Sequence, residues 1–384
     1  MILALNLQPT VLISDVLLFV LLAAVGVYVW RVSRSENARA TWRGVFASRM
    51  GRWAAWVMVF FVSVGVLDSL HFRTAVETPA GQAQQYSGEV LSVLDAVLTP
   101  LRMAGEKTYS APFSTTLLVK ESVTLADGSV ARLAPEIAHI HPLGTDKVGQ
   151  DVLYLALKSV RTGLLIGTLT TLIMLPFACA LGIVAGYFGG WVDDVIQYLY
   201  TTLNSIPGVL LIAAAVLVVD VQIDAHAEWF NSAAARADLR LLALCAILGL
   251  TGWTGLARLL RAETLKLREL DYIHAARALG VSHARILARH VLPNVAHLVI
   301  ITVVLDFSGL VLAEAVLSYV GAGVDPATPS FGNMINAARL ELAREPVVWW
   351  PLATAFVFLF ALVLAANLFA DAVRAAFDPR SARG

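Results

Sequence analysis

The stretch ELDYIHAARALGVSHARILARHVLP, residues 269–293, decides how the rest of the chain is read. It lies between two strongly apolar segments. Leu270, Ile273, Ala276 or Arg277, and Gly280 recur at three- and four-residue spacing, which predicts a short helix with one small, smooth face forward. Gly280 can end that helix in a left-handed conformation, and Ser282 can cap a second one. Pro293 closes the second helix before the next apolar segment. Two short helices on a polar loop between membrane spans suit docking to a soluble partner, not catalysis.

Composition supplies the membrane. Of 384 residues 58% are hydrophobic and only 15% charged, with a mean hydropathy of +0.73. A soluble domain cannot hide that much apolar surface, so the bilayer is the solvent for much of the chain. The 28 basic and 28 acidic residues cancel, which argues against a nucleic-acid binder. Cys179 and Cys245 both sit inside apolar segments and read as small buried hydrophobes, with no disulfide framework or metal site. The first apolar run, residues 11–30, has the length of a helical span and lacks the basic leader and small-residue cleavage site of a signal peptide.

Further apolar segments cover residues 53–70, 164–187, 192–219, 239–260, 295–320 and 348–370, making seven spans. The linker after the first carries Arg31, Arg34, Arg39, Arg43, Arg49 and Arg52 against Glu36 alone. The loop containing the opening stretch carries Arg258, Arg261, Lys266, Arg268, Arg277, Arg285 and Arg289 against Glu263, Glu269 and Asp271. The tail adds Arg374, Arg380 and Arg383. Seven spans put all three basic stretches on one side, which the positive-inside rule makes cytoplasmic. The N-terminus then lies outside, as does the segment at 225–238 with Asp224, Glu228, Arg236 and Asp238. Between the second and third spans, residues 71–158 hold short alternating runs at 115–119 and 122–125 and a hairpin-type turn at Asp127-Gly128. They read as a small external subdomain or a long tether.

Gly182 and Gly186 form a GxxxG pair, Gly249, Gly252 and Gly255 stud the fifth span, and Pro176 and Pro207 mark kinks. Asp306 and Glu314 fall eight residues apart in the sixth span, roughly on one face, and Asn367 and Asp371 close the seventh. A carboxylate in the membrane is costly and faces a cavity or a partner. Helix packing or the lining of a substrate path explains these two better than a proton relay, because no other span offers a buried acid or histidine to continue one. With Asn204 and Pro207 they are the candidate translocation-path residues.

His139, His141, His226, His274, His283, His290 and His297 are scattered and lack the tight spacing of metal ligands. No Walker-type phosphate loop exists: GTDKVGQD at residues 144–151 lacks the Lys-Ser/Thr ending and follows no strand pattern. Nor is there a G-x-S-x-G elbow. The chain is therefore expected to bind no cofactor, hydrolyse no ATP and catalyse nothing alone.

Four stretches resemble the membrane-spanning permease subunits of ABC importers, in the dipeptide/oligopeptide/nickel group, C-type subunit. HPLGTDKVGQDVL at 141–153 looks like the group's signature ahead of its first core span, with His141, Pro142, Gly144, Thr145, Asp146 and Asp151 near the external face. Residues 269–293 look like the importers' coupling loop, with Ala275, Ala276, Gly280, Leu292 and Pro293 in register. VLAEA at 311–315, LSYVGAGV at 317–324 and PSFGNMI at 329–335 form the third, and NLFADAVRAAFDPR at 367–380 the fourth. The likeness covers about residues 139–380. His274 stands where the wider pattern has Glu, His290 where it often has Ile, and Gln150 replaces the more usual Arg. The first 138 residues match poorly, which leaves the substrate open.

The resemblance implies an all-α polytopic membrane protein of about seven transmembrane helices, with a six-helix-type importer permease core, cytoplasmic coupling helices and an enlarged external loop. The expected division is residues 1–52 for an extra span and basic linker, 53–72 for the second span, and 73–158 for the external segment. Residues 159–374 form the core with its coupling loop at 261–294, and 375–384 a cytoplasmic tail. It implies a bacterial inner membrane, a second permease as heterodimer partner, and two ABC ATPases carrying ATP and Mg. An extracytoplasmic binding protein completes the set. Asp271, Tyr272, Ala275, Ala276, Arg277, Leu279 and Gly280 would then touch an ATPase. Peptides are the expected cargo, with a nickel chelate or a peptide antibiotic as alternatives within the group, and a proton-coupled secondary transporter or a membrane scaffold outside it.

Overall fold

The computed structural model describes residues 7–76, 85–124, 130–230 and 232–377. The chain opens with strand β1 (Leu7–Pro9), then helices α1 (Ile13–Arg34), α2 (Glu36–Ala47) and α3 (Arg49–Asp68). Strands β2 (His71–Val76), β3 (Gln85–Tyr86) and β4 (Leu91–Ser92) follow. β1 pairs antiparallel with β2, Leu7 opposite Thr74, so the residues before the first span join the subdomain after the second. That contact requires α1 and α3 to cross as a pair and return to the same end. Short helices α4 (Val93–Val97) and α5 (Thr99–Met103) lead to a ribbon of β5 (Glu121–Thr124) and β6 (Val130–Leu133). The expected turn at Asp127-Gly128 lies outside the described residues. The run at 115–119 forms only isolated bridges, Leu117 to Ser110 and Thr116 to Glu136.

The core begins with the 37-residue helix α6 (Val152–Phe188), so the boundary drawn at 159 falls inside a helix. Pro176 sits within it without interrupting it. The expected span at 192–219 is instead two helices, α7 (Gly190–Ser205) and α8 (Gly208–Ala225). Pro207 has no N–H to donate and drives Ile206 into extended geometry (φ −93°, ψ 130°), which ends α7 one residue earlier. Only α8 is long and apolar enough to cross. Next come α9 (Ala233–Gly252) and α10 (Thr254–Leu267), counted together as one span, then α11 (Asp271–Ala278) and α12 (His283–Ile286). α13 (Leu292–Val320), α14 (Phe331–Ala338) and α15 (Trp350–Phe377) complete the chain. Seven helices long and apolar enough to span a bilayer are present among the described residues.

Pro293 does not close the second loop helix. Residues 287–291 form one wide π turn, and Pro293 stands directly after it at the start of α13, where the widened turn relieves the clash between the proline ring and the preceding carbonyls. The helix therefore runs unbroken from the loop into the membrane, His283–Val320.

α6 is the hub. Side chains of α3, α9, α10 and α13 pack around it, with Leu165, Ile166 and Leu169 meeting Leu241, Leu244 and Leu248 of α9. The GxxxG pair sets the approach of α10: a Cβ at Gly182 would stand 2.6 Å from the Ala257 carbonyl, and one at Gly186 2.6 Å from that of Arg261. In the fifth span only Gly249 is pressed similarly, 2.7 Å from Ile173, whereas Gly255 faces open space. Gly182→Leu is expected to wedge α6 from α10, costing about 1–3 kcal/mol by overpacking. A lowered unfolding midpoint in detergent checks this, with Gly255→Leu as the indifferent control.

Candidate functional site

Helix α11 owes its ends to local chemistry. Leu279 caps it and Gly280 follows at φ +75°. The Val281 amide donates to the Ala276 carbonyl and the Gly280 amide to that of Arg277, the two bonds of a Schellman turn. No atom lies within 4 Å of a Cβ placed at Gly280, so glycine is required there by backbone conformation and not by space. Ser282 occupies the cap position of α12, but its side chain makes no capping bond.

The structure divides the loop residues between two faces. Ile273 is fully buried and Ala276 is 9% exposed, packed with Ile183 and Tyr187 of α6, Leu256 and Leu260 of α10, and Ile286. Arg277 also turns inward: its Nε donates to the Tyr187 hydroxyl at 3.2 Å and its guanidinium lies 4.6 Å from that ring's centroid. The same hydroxyl meets His283 Nδ1 at 2.8 Å. Asp271, Tyr272, Ala275 and Leu279 face outward, Leu279 at 83% exposure. The recurrence of Ile273 and Ala276 therefore marks the face that grips the chain's own core, and the forward face is the opposite one. Around the same end, Arg261 holds Asp193 at 2.5 and 2.6 Å, keeping that carboxyl below its ordinary range.

At the other end, the signature residues build the start of α6. Asp151 caps the helix, accepting from the Tyr154 amide at 3.0 Å and from buried His141 Nδ1 at 2.8 Å. Thr145 Oγ1 accepts from the Ser110 amide and donates to the Thr108 carbonyl, and Trp350 Nε1 donates to the Thr145 carbonyl at 2.9 Å. Gly144, at φ +73°, passes so close that a Cβ would sit 2.5 Å from the Ser110 carbonyl. Asp146 receives the amides of Val148 and Gln150, yet burial outweighs them and pushes its carboxyl up. Pro142, in the same turn, is only partly buried. A cavity of about 520 Å³ opens beside this turn, bounded by Tyr154, Asn333 and Glu341 among others.

One constellation escapes the sequence reading. Lys158 and Arg161 stand one turn apart on α6. Lys158 Nζ reaches Asp68 at the end of α3 (2.6 Å) and Asp95 of α4 (3.1 Å). Arg161 reaches Asp15 of α1 (2.6 Å) and the hydroxyls of Ser69 and Ser14. Asp15 also takes His71 Nδ1 at 2.8 Å, and Ser14 donates to Asp238 of α9. The signal was present in part: Asp15 interrupts the first apolar run, and Lys158 and Arg161 directly precede the third. Their pairing, between residues up to 147 positions apart, has no local trace.

The membrane acids do not share a face. Eight residues advance a helix by about 80° beyond two turns. Glu314 is fully buried, with Ser318 donating to Oε1 and no partner on Oε2. Asp306 instead borders a cavity of about 300 Å³ with Gly252, Gly255 and Thr302. Asn204 and Pro207 are exposed at the break before α8, and Thr254 donates to Asn204 Oδ1 at 3.2 Å. Asn204 and Asp306 thus both abut residues 252–255, while Glu314 stands apart.

The family model described as "Binding-protein-dependent transport system inner membrane component" matches residues 178–383, just over half of the chain, and this protein belongs to that family. It is 35% identical over 241 residues to the oligopeptide transport system permease protein of Mycobacterium tuberculosis, covering 63% of this chain and 76% of the relative. It is 32% identical over 241 residues to the glutathione transport system permease protein of Pectobacterium atrosepticum, covering 62% and 73%. A solved inward-facing methionine ABC transporter aligns with a TM-score of 0.40 and 18% identity, over 58% of this chain and 97% of that one. The protein is accordingly a multi-pass inner-membrane component that is not catalytic by itself.

Burial raises the Asp95 carboxyl, but Lys158, the Ser92 amide and Tyr154 together overcome it and hold it below the ordinary range. Its stabilisation is therefore complete above about pH 4 and lost as pH falls through the lower folded-state value. Asp95→Asn is expected to cost about 2 kcal/mol at pH 7, and the cost should shrink as pH falls below about 4, read as unfolding midpoints of both proteins across the acid range.

Proposed function

We propose that this chain is a permease subunit of an ATP-driven importer that carries peptides, and that α11 is the handle by which ATPase subunits move it. The observation that carries the reading is the two-faced helix: an exposed side of Asp271, Tyr272, Ala275 and Leu279, and a buried side locked onto α6 and α10. Any displacement of the exposed side is transmitted through Ile273, Ala276 and the Arg277–Tyr187 contact to the spans. Oligopeptide and glutathione systems among the relatives support peptides as cargo. ATP and Mg reside on the ATPases, and an extracytoplasmic binding protein delivers substrate.

A second permease completes the path. α8 supports this, since Val216 and Ile223 alone are buried along it and Leu210, Leu217, Val218 and Val221 are exposed. Asn204 and Asp306, both beside the break at 252–255, line the path together with Pro207 at the break before α8, and Glu314 fixes helix packing. The arginine-rich α2, the α11 loop and the end of α15 lie at one end of the spans, opposite β1, which supports an external N-terminus and a cytoplasmic C-terminus.

Proteoliposomes containing this chain, a second permease, the ATPases and the binding protein should take up peptide only with ATP; uptake without the ATPases overturns the reading. Leu279→Asp with Tyr272→Ala should abolish ATPase co-purification while the permease inserts normally. Gly280→Val, strained by about 1–3 kcal/mol, should weaken it too, through the turn rather than the contact surface.

A further inference from the structure

The basic linker has chemistry that a transport role leaves unassigned. Arg31, Arg34, Arg39, Arg43, Arg49 and Arg52 are all exposed, and among the described residues none forms an ion pair. Glu36 is the only acid in that stretch, and the adjoining end of α15 adds Asp371 and Arg374, one charge of each sign. Connectivity fixes where the arginines are. Ser35 alone separates α1 from α2 and Ser48 alone separates α2 from α3, so both ends of α2 are tied to spans. Its inner side, Ala38, Thr41, Trp42 and buried Val45, rests on the chain, with Trp42 5.6 Å from Phe377 of α15. Arg39, Arg43 and Phe46 form the outward stripe at helical spacing. Around them stand exposed rings: Trp30 beneath the Arg34 guanidinium at 3.9 Å, Trp53 at 71% exposure and Trp56 at 72%.

We propose that α2 and the adjoining ends of α1 and α3 bind anionic phospholipid headgroups. Tryptophans at the ends of spans seat at headgroup level, and positive charges held there attract the phosphates of anionic lipids. A soluble acidic partner would not need the tryptophans; a bilayer surface needs both.

The test uses the full chain in detergent, with phosphatidylglycerol or phosphatidylcholine added and bound lipid counted by native mass spectrometry. The wild type should retain phosphatidylglycerol over phosphatidylcholine. Arg39→Gln/Arg43→Gln should weaken that retention about fivefold for each arginine removed, at an unchanged unfolding midpoint. Arg39→Lys/Arg43→Lys should keep most of it. Equal retention of the two lipids by the wild type, or unchanged retention by the glutamine variant, overturns the proposal. Loss of ATPase co-purification with lipid retention intact overturns it in favour of a protein partner. Labelling of Ala40→Cys from outside intact cells would sink the assigned orientation instead and leave lipid binding standing.

Discussion

Two cations one turn apart on α6, and three carboxylates brought to them from α1, α3 and α4, hold the non-core part of the chain to the core. Placing such groups away from water costs several kcal/mol per ion, and only good geometry with further hydrogen bonds offsets it. Both conditions are met. Asp68 also accepts from Ser92, Asp95 from Tyr154 and the Ser92 amide, and Asp15 from His71. The net stability of such a cluster is small; its value is register. An apolar span can slide or rotate against another at little cost, because lipid and leucine are equally apolar neighbours. A carboxylate that must meet one guanidinium cannot. The extra spans α1 and α3 are thereby indexed to α6, and through Ser14 and Asp238 to α9.

The opposite end works by packing. Tyr187 is the meeting point there, receiving Arg277 on its face and hydroxyl and sharing a hydrogen with His283. α6 therefore joins the subdomain at one end to the loop helices at the other, a rigid member between two kinds of contact. The glycine pair on α6 keeps α10 close along the same stretch, so the base on which α11 sits does not yield.

The features legible from sequence were those encoded locally. Span number follows from hydropathy, parity from arginine placement, and the positive φ of Gly280 from its position after a helical repeat. Features set by distance or by averaging were not. A hydropathy window passes over Pro207 because both flanks are apolar, so α7 and α8 read as one. β1 is three residues long and finds its partner only when two crossings bring β2 alongside. The start of α6 was placed late because Lys158 and Arg161 look like loop residues until their partners are known. Periodicity marks Ile273 and Ala276 as a face but cannot say which side is already occupied, and the proline rule fails at Pro293 because the wide turn before it makes room for a ring that a regular coil would not.

The wide turn at residues 287–291 sets an angular offset for everything beyond it. Each ring there closes over one more residue than in an ordinary helix, so the bearing of α13 is swung by about 100° relative to an uninterrupted coil. Glu314 and Asp306 both lie beyond the turn and share that offset, so it sets the direction of each while their spacing sets the angle between them. A single-residue deletion within the turn would straighten the coil and rotate a whole crossing by little more than a quarter turn, carrying Glu314 off the bundle interior.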